Sequence, residues 1–334
     1  MKKQSRFRMI AIGLFILIAI SAFAGCTRTT ATVLPAEEKA GESSGDEGQI
    51  SESAAEVEAE TAPDVALPSP AALPIRIQFT AEDGQELVGY FFTADNSPAP
   101  TVILMHWYPG DQRDWLAIAP WLQNRPDELA DAEGWEMAIG SDCGGQEEGP
   151  WLDPSWFPPM PEDVSFNVFI FDFRGHCESE PFSGNQDDKK LDAKAAFAEV
   201  SLMDSTDPDR IVAIGASIGA DGAADGCFLH NQESDTCLGA FSLSPGSYLG
   251  LEYDQVVRDL DGTEVPPAVP VWCLSSEDDI PSLIACDAAS GDHYQSFLYE
   301  GDAHGMQLIT PSTDPNPLIL IQDFLEETFG VEIN

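Results

Sequence analysis

Ser217 stands in Gly215-Ala216-Ser217-Ile218-Gly219, directly after the apolar run Ile211 to Ile214. The G-x-S-x-G spacing alone is a weak signal in a chain with 27 glycines, and its context gives it weight. A strand, a sharp turn flanked by glycines and a small-residue helix together lift a serine hydroxyl above the edge of a sheet. The stretch Ala220-Asp221-Gly222-Ala223-Ala224 suits that helix, and the positive end of its dipole favours negative charge developing at the serine. A serine hydroxyl is a poor nucleophile until a base takes its proton, so a histidine must reach it from another loop. His304, in Gly301-Asp302-Ala303-His304-Gly305, is the one of five histidines placed on a loop downstream of a final predicted strand. His176, His230 and His293 are read as structural. An imidazole acting as base needs a carboxylate to fix its tautomer and steady its cation. Glu277, Asp278 and Asp279 follow the predicted strand Val269 to Leu274; Asp279 is favoured by its place before Ile280-Pro281, with Asp278 next. The chemistry of such a set is acyl transfer through a covalent serine intermediate.

These groups must be held by strands and helices. Ile75 to Thr80 and Leu87 to Thr93 flank the turn residues Asp83-Gly84 and read as a hairpin. Apolar runs at Thr101 to Met105, Phe166 to Phe171, Arg210 to Ile214, Gly239 to Leu243, Val269 to Leu274 and Tyr294 to Tyr299 read as further strands, with helices near Leu191 to Met203 and Pro317 to Phe329. Strands alternating with helices predict an α/β fold: a mostly parallel sheet covered on both faces. Residues 115–163 separate two strands by more than a connection needs and carry Trp115, Trp121, Trp135, Trp151 and Trp156. They predict an insertion folded over the carboxyl ends of the strands, shaping a pocket.

Over residues 74–334 the chain resembles an α/β-hydrolase-fold serine hydrolase of the esterase kind. The blocks that carry the resemblance are Leu104-Met105-His106-Trp107-Tyr108-Pro109-Gly110, Phe171-Asp172-Phe173-Arg174-Gly175-His176, the turn around Ser217, the acid loop and Ala303-His304-Gly305. The order Ser, Asp, His along the chain is that of the family. The resemblance implies Ser217 as nucleophile, His304 as base, Asp279 as its acid, and an oxyanion hole made by the backbone N–H groups of Tyr108 and Ile218. Trp107 stands where the family usually has Gly, and Cys177 where it has the Gly that ends Arg-Gly-His-Gly. The activity implied is hydrolysis of carboxylic esters through an acyl-enzyme. A peptidase or amidase using the same residues, or a catalytically silent binding protein on the same scaffold, are the alternatives. No cofactor is expected, and no metal, since the acids from Asp142 to Asp153 lack ligand spacing.

Composition narrows the partners. The 334 residues carry 15 Lys and Arg against 58 Asp and Glu, a net charge of −43, which disfavours nucleic acid and anionic lipid surfaces. A neutral or cationic small-molecule acyl substrate fits this balance. With 43% apolar and 22% charged residues the chain is of globular type.

Residues 1–25 have the order of an export signal: Lys2, Lys3, Arg6 and Arg8, then Met9 to Ile20, then small residues. Ala24-Gly25-Cys26 resembles a bacterial lipobox, with Phe23 where Leu is usual. This implies lipidation at Cys26, a protein anchored outside the cytoplasmic membrane by acyl chains, and no other membrane contact. Residues 26–73 lack aromatics, carry ten acids and are predicted to be an extended tether. Six other cysteines allow 15 disulfide connectivities; neighbour pairing joins Cys143 to Cys177, Cys227 to Cys237 and Cys273 to Cys286.

Overall fold

The computed structural model describes residues 74–125, 152–179, 181–262 and 268–333. The predicted leader, Cys26 and the tether lie outside the described residues. Strands β1 (Ile75–Thr80) and β2 (Glu86–Phe92) form the expected hairpin, turning at Gly84 with φ 89°. They join β3 (Ala99–Met105), β4 (Asn167–Phe171), β5 (Thr206–Ala216), β6 (Cys237–Leu243), β7 (Val271–Ser276) and β8 (Tyr294–Tyr299) in one sheet of order β1-β2-β4-β3-β5-β6-β7-β8. β1 and β2 pair antiparallel, as do β2 and β4; all remaining pairings are parallel.

Every residue of β4 and β7 is buried. This is the signature of strands covered on both faces and explains why they read as continuous apolar runs. Alternate residues feed two cores. Val102 and Leu104 pack with α1 (Ile118–Leu122) and α6 (Pro317–Phe329). Ile103 and Met105 pack with α2 (Lys189–Ser201), α3 (Ile218–Asn231), α4 (Tyr253–Asp261) and α5 (Ile280–Ala288). The sequence reading did not place α4 and α5, although Tyr253, Val256, Val257 and Leu260, all buried, have helical spacing.

The Trp-rich connection is described only at its two ends, residues 115–125 and 152–163. Trp115 and Trp121 are fully buried members of the first core, and Trp156 packs against it half-buried. Trp121 stacks on Phe157 at 5.4 Å and its indole N–H donates to the Pro158 carbonyl at 2.7 Å. The described ends of the connection thus add to the core on the α6 side of the sheet. Trp135 and Trp151 lie outside the described residues.

Two of the expected disulfides are present: Cys227–Cys237 ties α3 to β6, and Cys273–Cys286 ties β7 to α5. Each closes a short loop, worth about 3 kcal/mol in the chain-entropy account. Cys177 is also disulfide-bonded; its expected partner, Cys143, lies outside the described residues. Among the described residues no helix is long and apolar enough to cross a membrane.

Arg174 is buried at the junction of three elements. Its guanidinium donates to Asp192 of α2 at 2.6 Å and to Asp83 of the β1–β2 turn at 2.6 Å. The paired guanidinium holds the Asp83 carboxyl below its usual range, while burial raises Asp192. Removing one member of a buried ion pair strands the other charge without solvent. Arg174→Ala is therefore expected to lower the unfolding free energy by about 3 kcal/mol or more, read by chemical denaturation. A loss below about 1 kcal/mol would show that Asp192 is rescued by water.

Candidate active site

At the end of β5 the chain turns through Ser217, whose backbone sits at φ 54°, ψ −115°. The turn is tight enough that a Cβ on Gly215 would stand 1.9 Å from the Gly219 carbonyl oxygen, and one on Gly219 would stand 2.1 Å from that of Met105. Both positions therefore exclude any side chain. Ser217 donates its backbone N–H to the Leu243 carbonyl at 2.8 Å, and its own carbonyl accepts from Ala220 and Asp221 in the first turn of α3.

The structure brings together the three groups singled out in the sequence. Ser217 Oγ lies 2.8 Å from His304 Nε2, and His304 Nδ1 lies 2.7 Å from Asp279 Oδ2. Asp279 is the residue immediately before α5 and is half-buried, while Glu277 and Asp278 are exposed. Their backbones brace the neighbouring loop: Glu277 N–H donates to the Tyr299 carbonyl and Asp278 N–H to that of Gly301, both at 2.9 Å. His304 follows β8, as expected, and its N–H donates to Gln307 Oε1 at 3.1 Å.

The loop after β3 is held by two histidines. Buried His106 spans it, with Nδ1 2.7 Å from the Trp107 carbonyl and Nε2 accepting from Phe173 N–H at 3.0 Å. His176 Nδ1 lies 3.2 Å from the Gly110 carbonyl, and the two rings meet edge to face at 4.7 Å. Burial pushes His106 down to about 3 and His176 down to about 4, so both are neutral at pH 7. Tyr108 is 60% exposed on this loop. Ile218 is the first residue of α3, where the backbone N–H has no intrahelical acceptor. His230 contacts Thr236 Oγ1 at 2.7 Å and His293 contacts Asp261 at 3.0 Å, structural positions away from Ser217.

Trp107 has a structural use that the sequence reading did not find. Its indole is buried, and a Cβ on Gly305 would approach its ring to 3.1 Å. Gly305 has φ 57°, so this position next to His304 is restricted by space and by backbone together. The indole N–H and the Asp114 carboxyl both converge on Gly110. Asp114 is pushed up to about 7 by burial, then by the Asp111 charge, against a smaller lowering by the Trp107 indole. Trp in place of a small residue was the available signal; its contacts come from non-adjacent loops. Among the described residues no cluster of three or more His, Cys, Asp or Glu could hold a metal.

The raised value fixes a sign. Folded Asp114 holds its proton up to about pH 7 while the unfolded chain releases it near 3.8, so its stabilising contribution is complete at low pH and is lost as pH rises through 7. His106 and His176 work in the opposite sense, costing stability as pH falls below the unfolded histidine value near 6.5. Asp114→Asn is expected to reduce the loss of stability between pH 6 and 8.5 by on the order of 1 kcal/mol, read from thermal melts. An unchanged pH profile would place the titration elsewhere.

No protein-family model matches the sequence, and no curated protein matches it. Solved structures match in shape. An α/β hydrolase from Penicillium sp. sh18 aligns with a TM-score of 0.51 at 13% identity, over 77% of this chain and 99% of that one. A 2,6-dihydroxy-pseudo-oxynicotine hydrolase aligns with a TM-score of 0.51 at 11% identity, over 76% of this chain and 68% of that one. At these identities the likeness is one of fold, and together with the strand order it shows that the chain has the α/β-hydrolase fold.

Proposed function

We propose that the protein is a serine hydrolase that cleaves carboxylic esters through an acyl-enzyme. The observation that carries this reading is the continuous relay from Ser217 Oγ to His304 Nε2 and from His304 Nδ1 to Asp279, at 2.8 and 2.7 Å. Ser217 Oγ attacks the acyl carbon as His304 Nε2 takes its proton; Asp279 holds the imidazole in the required tautomer and steadies the imidazolium. The N–H groups of Tyr108 and Ile218 receive the oxyanion, aided by the N-terminus of α3. His304 returns the proton to the leaving alcohol, then draws a proton from the water that releases the acid. The similarity to two hydrolases of the same fold supports hydrolysis as the reaction class.

Charge on the loops beside His304 and Asp279 supports neutral or cationic substrates. The loops 277–279 and 300–302 lie side by side, and Glu277, Asp278, Glu300 and Asp302 on them are exposed. From Asp259 to Asn334 the sequence contains no Lys or Arg, so this side of the site has no cation of its own to receive an anion.

The buried disulfides suit an oxidising compartment outside the cytoplasm, and we place the protein there as a lipoprotein anchored through Cys26. Release of Cys26→Ala from the membrane fraction, with loss of the acyl mass, tests the anchor; retention at the membrane would refute it.

A fluorophosphonate probe is expected to label the wild type at Ser217 and to leave Ser217→Ala unlabelled, with p-nitrophenyl butyrate turnover falling at least about 10⁴-fold. Turnover that survives the substitution refutes the nucleophile. Peptide amides cleaved faster than matched esters would turn the assignment to a peptidase. At low salt, a p-nitrophenyl ester carrying a terminal carboxylate is expected to show kcat/KM about tenfold below its neutral counterpart, the gap closing as salt rises; equal values would remove the electrostatic preference.

A further inference from the structure

The tip of β6 touches all three segments of the proposed relay. Leu243, its last residue, accepts the Ser217 N–H at 2.8 Å. Ser244, the next residue, donates its N–H to the Leu274 carbonyl of β7 at 2.8 Å, and β7 leads into the Asp279 loop. Ser244 Oγ accepts the N–H of Gly305, the residue after His304, at 2.9 Å. On the other side of His304, Ser276 Oγ at the end of β7 donates to the Ala303 carbonyl at 2.7 Å. The peptide groups flanking His304 are thus each held by a serine hydroxyl at a strand end.

Ser244 is fully buried and has φ 59°, in the left-handed region that favours glycine. A non-glycine residue there carries backbone strain that its side-chain contacts must offset, and here the hydroxyl holds the Gly305 N–H beside His304. Leu243 and Leu274 are directly paired across the strands, so Ser244 has no freedom to move independently of the nucleophile turn.

We propose that Ser244 is a positioning residue for the hydrolysis described above: through Gly305 it fixes His304 at reaction distance from Ser217. The proposal rests on that reading of the site. Without the hydroxyl the Gly305 N–H loses its acceptor, the loop shifts, and the contact between His304 Nε2 and Ser217 Oγ lengthens. Misplacement of a reacting group by a fraction of an ångström lowers rate and leaves ground-state binding largely intact.

The test uses Ser244→Ala and Ser244→Gly in the full chain, with p-nitrophenyl butyrate as substrate and thermal melting in parallel. Both variants lack the hydroxyl, but glycine relieves the left-handed strain and alanine keeps it, so the glycine variant is expected to melt higher than the alanine variant. Both are nevertheless expected to lose about tenfold in kcat with KM within about twofold of wild type. Wild-type kcat in either variant overturns the proposal. So does a kcat that recovers from alanine to glycine in step with melting temperature, which would mark Ser244 as structural only. If Ser217→Ala remains active in the same assay, the relay itself fails and this inference with it; an inactive Ser217→Ala beside fully active Ser244 variants rejects the Ser244 role alone.

Discussion

Ser217 can adopt its left-handed backbone only because two glycines leave no atoms in the way. Gly215 and Gly219 face each other across the turn closely enough that a methyl group on either would overlap a backbone carbonyl. That absence of side chains lets α3 begin directly behind the serine and run against the end of β3, where Met105 and His106 present their carbonyls. The hydroxyl is left at the sheet edge beside the start of the helix. His304 meets this turn through Ser217 Oγ and Asp279 meets it through His304, while the end of β3 packs directly against Gly219. Of the five non-glycine residues with positive φ among the described residues, three, Ser217, Ser244 and Ser247, lie at or beside it, and such strain persists only where the surrounding structure over-determines the backbone.

Around the turn, polar groups are fixed more by backbone than by opposite charge. Asp221, on the first turns of α3, accepts the N–H groups of Gly246, Ser247 and Tyr248, which anchors the loop after β6 to the helix that follows Ser217. One turn on, Asp225 is also buried, and among the described residues neither of its carboxyl oxygens has a hydrogen-bond partner. Burial and the neighbouring Asp221 push Asp225 well above the usual carboxylate range. The donors are on Asp221, so Asp225 is the member of the pair that keeps its proton. Neutral His106 and His176 under the loop after β3 follow the same logic: a chain rich in negative charge builds the floor of its site from uncharged donors and acceptors.

The disulfides reinforce the two helices that begin beside Ser217 and Asp279. Cys227–Cys237 secures α3 to β6, and Cys273–Cys286 closes the loop that contains Asp279. The Arg174 cluster serves the remote edge, where it ties the β1–β2 turn to α2 beside the pairing of β2 with β4.

The sequence by itself determined the alternation of strands and helices, the hairpin, the Ser217 turn, and the place of His304 on the loop after the last strand. Each of these is written in local patterns: apolar period, glycine spacing, and a histidine on the loop after the last strand. Asp279 was favoured over Asp278 by its place before Ile280-Pro281, but its contact with His304, the burial of Trp115 and Trp121, and the uses of Trp107, Ser244 and Ser276 were decided by tertiary structure. Adjacent acids in one loop differ only in direction, and direction is set by where α5 begins. A serine past a strand end meets a distant loop only once β5, β6, β7 and β8 have paired in register. That register comes from long-range hydrogen bonds and the burial of both faces, which no short window of residues contains.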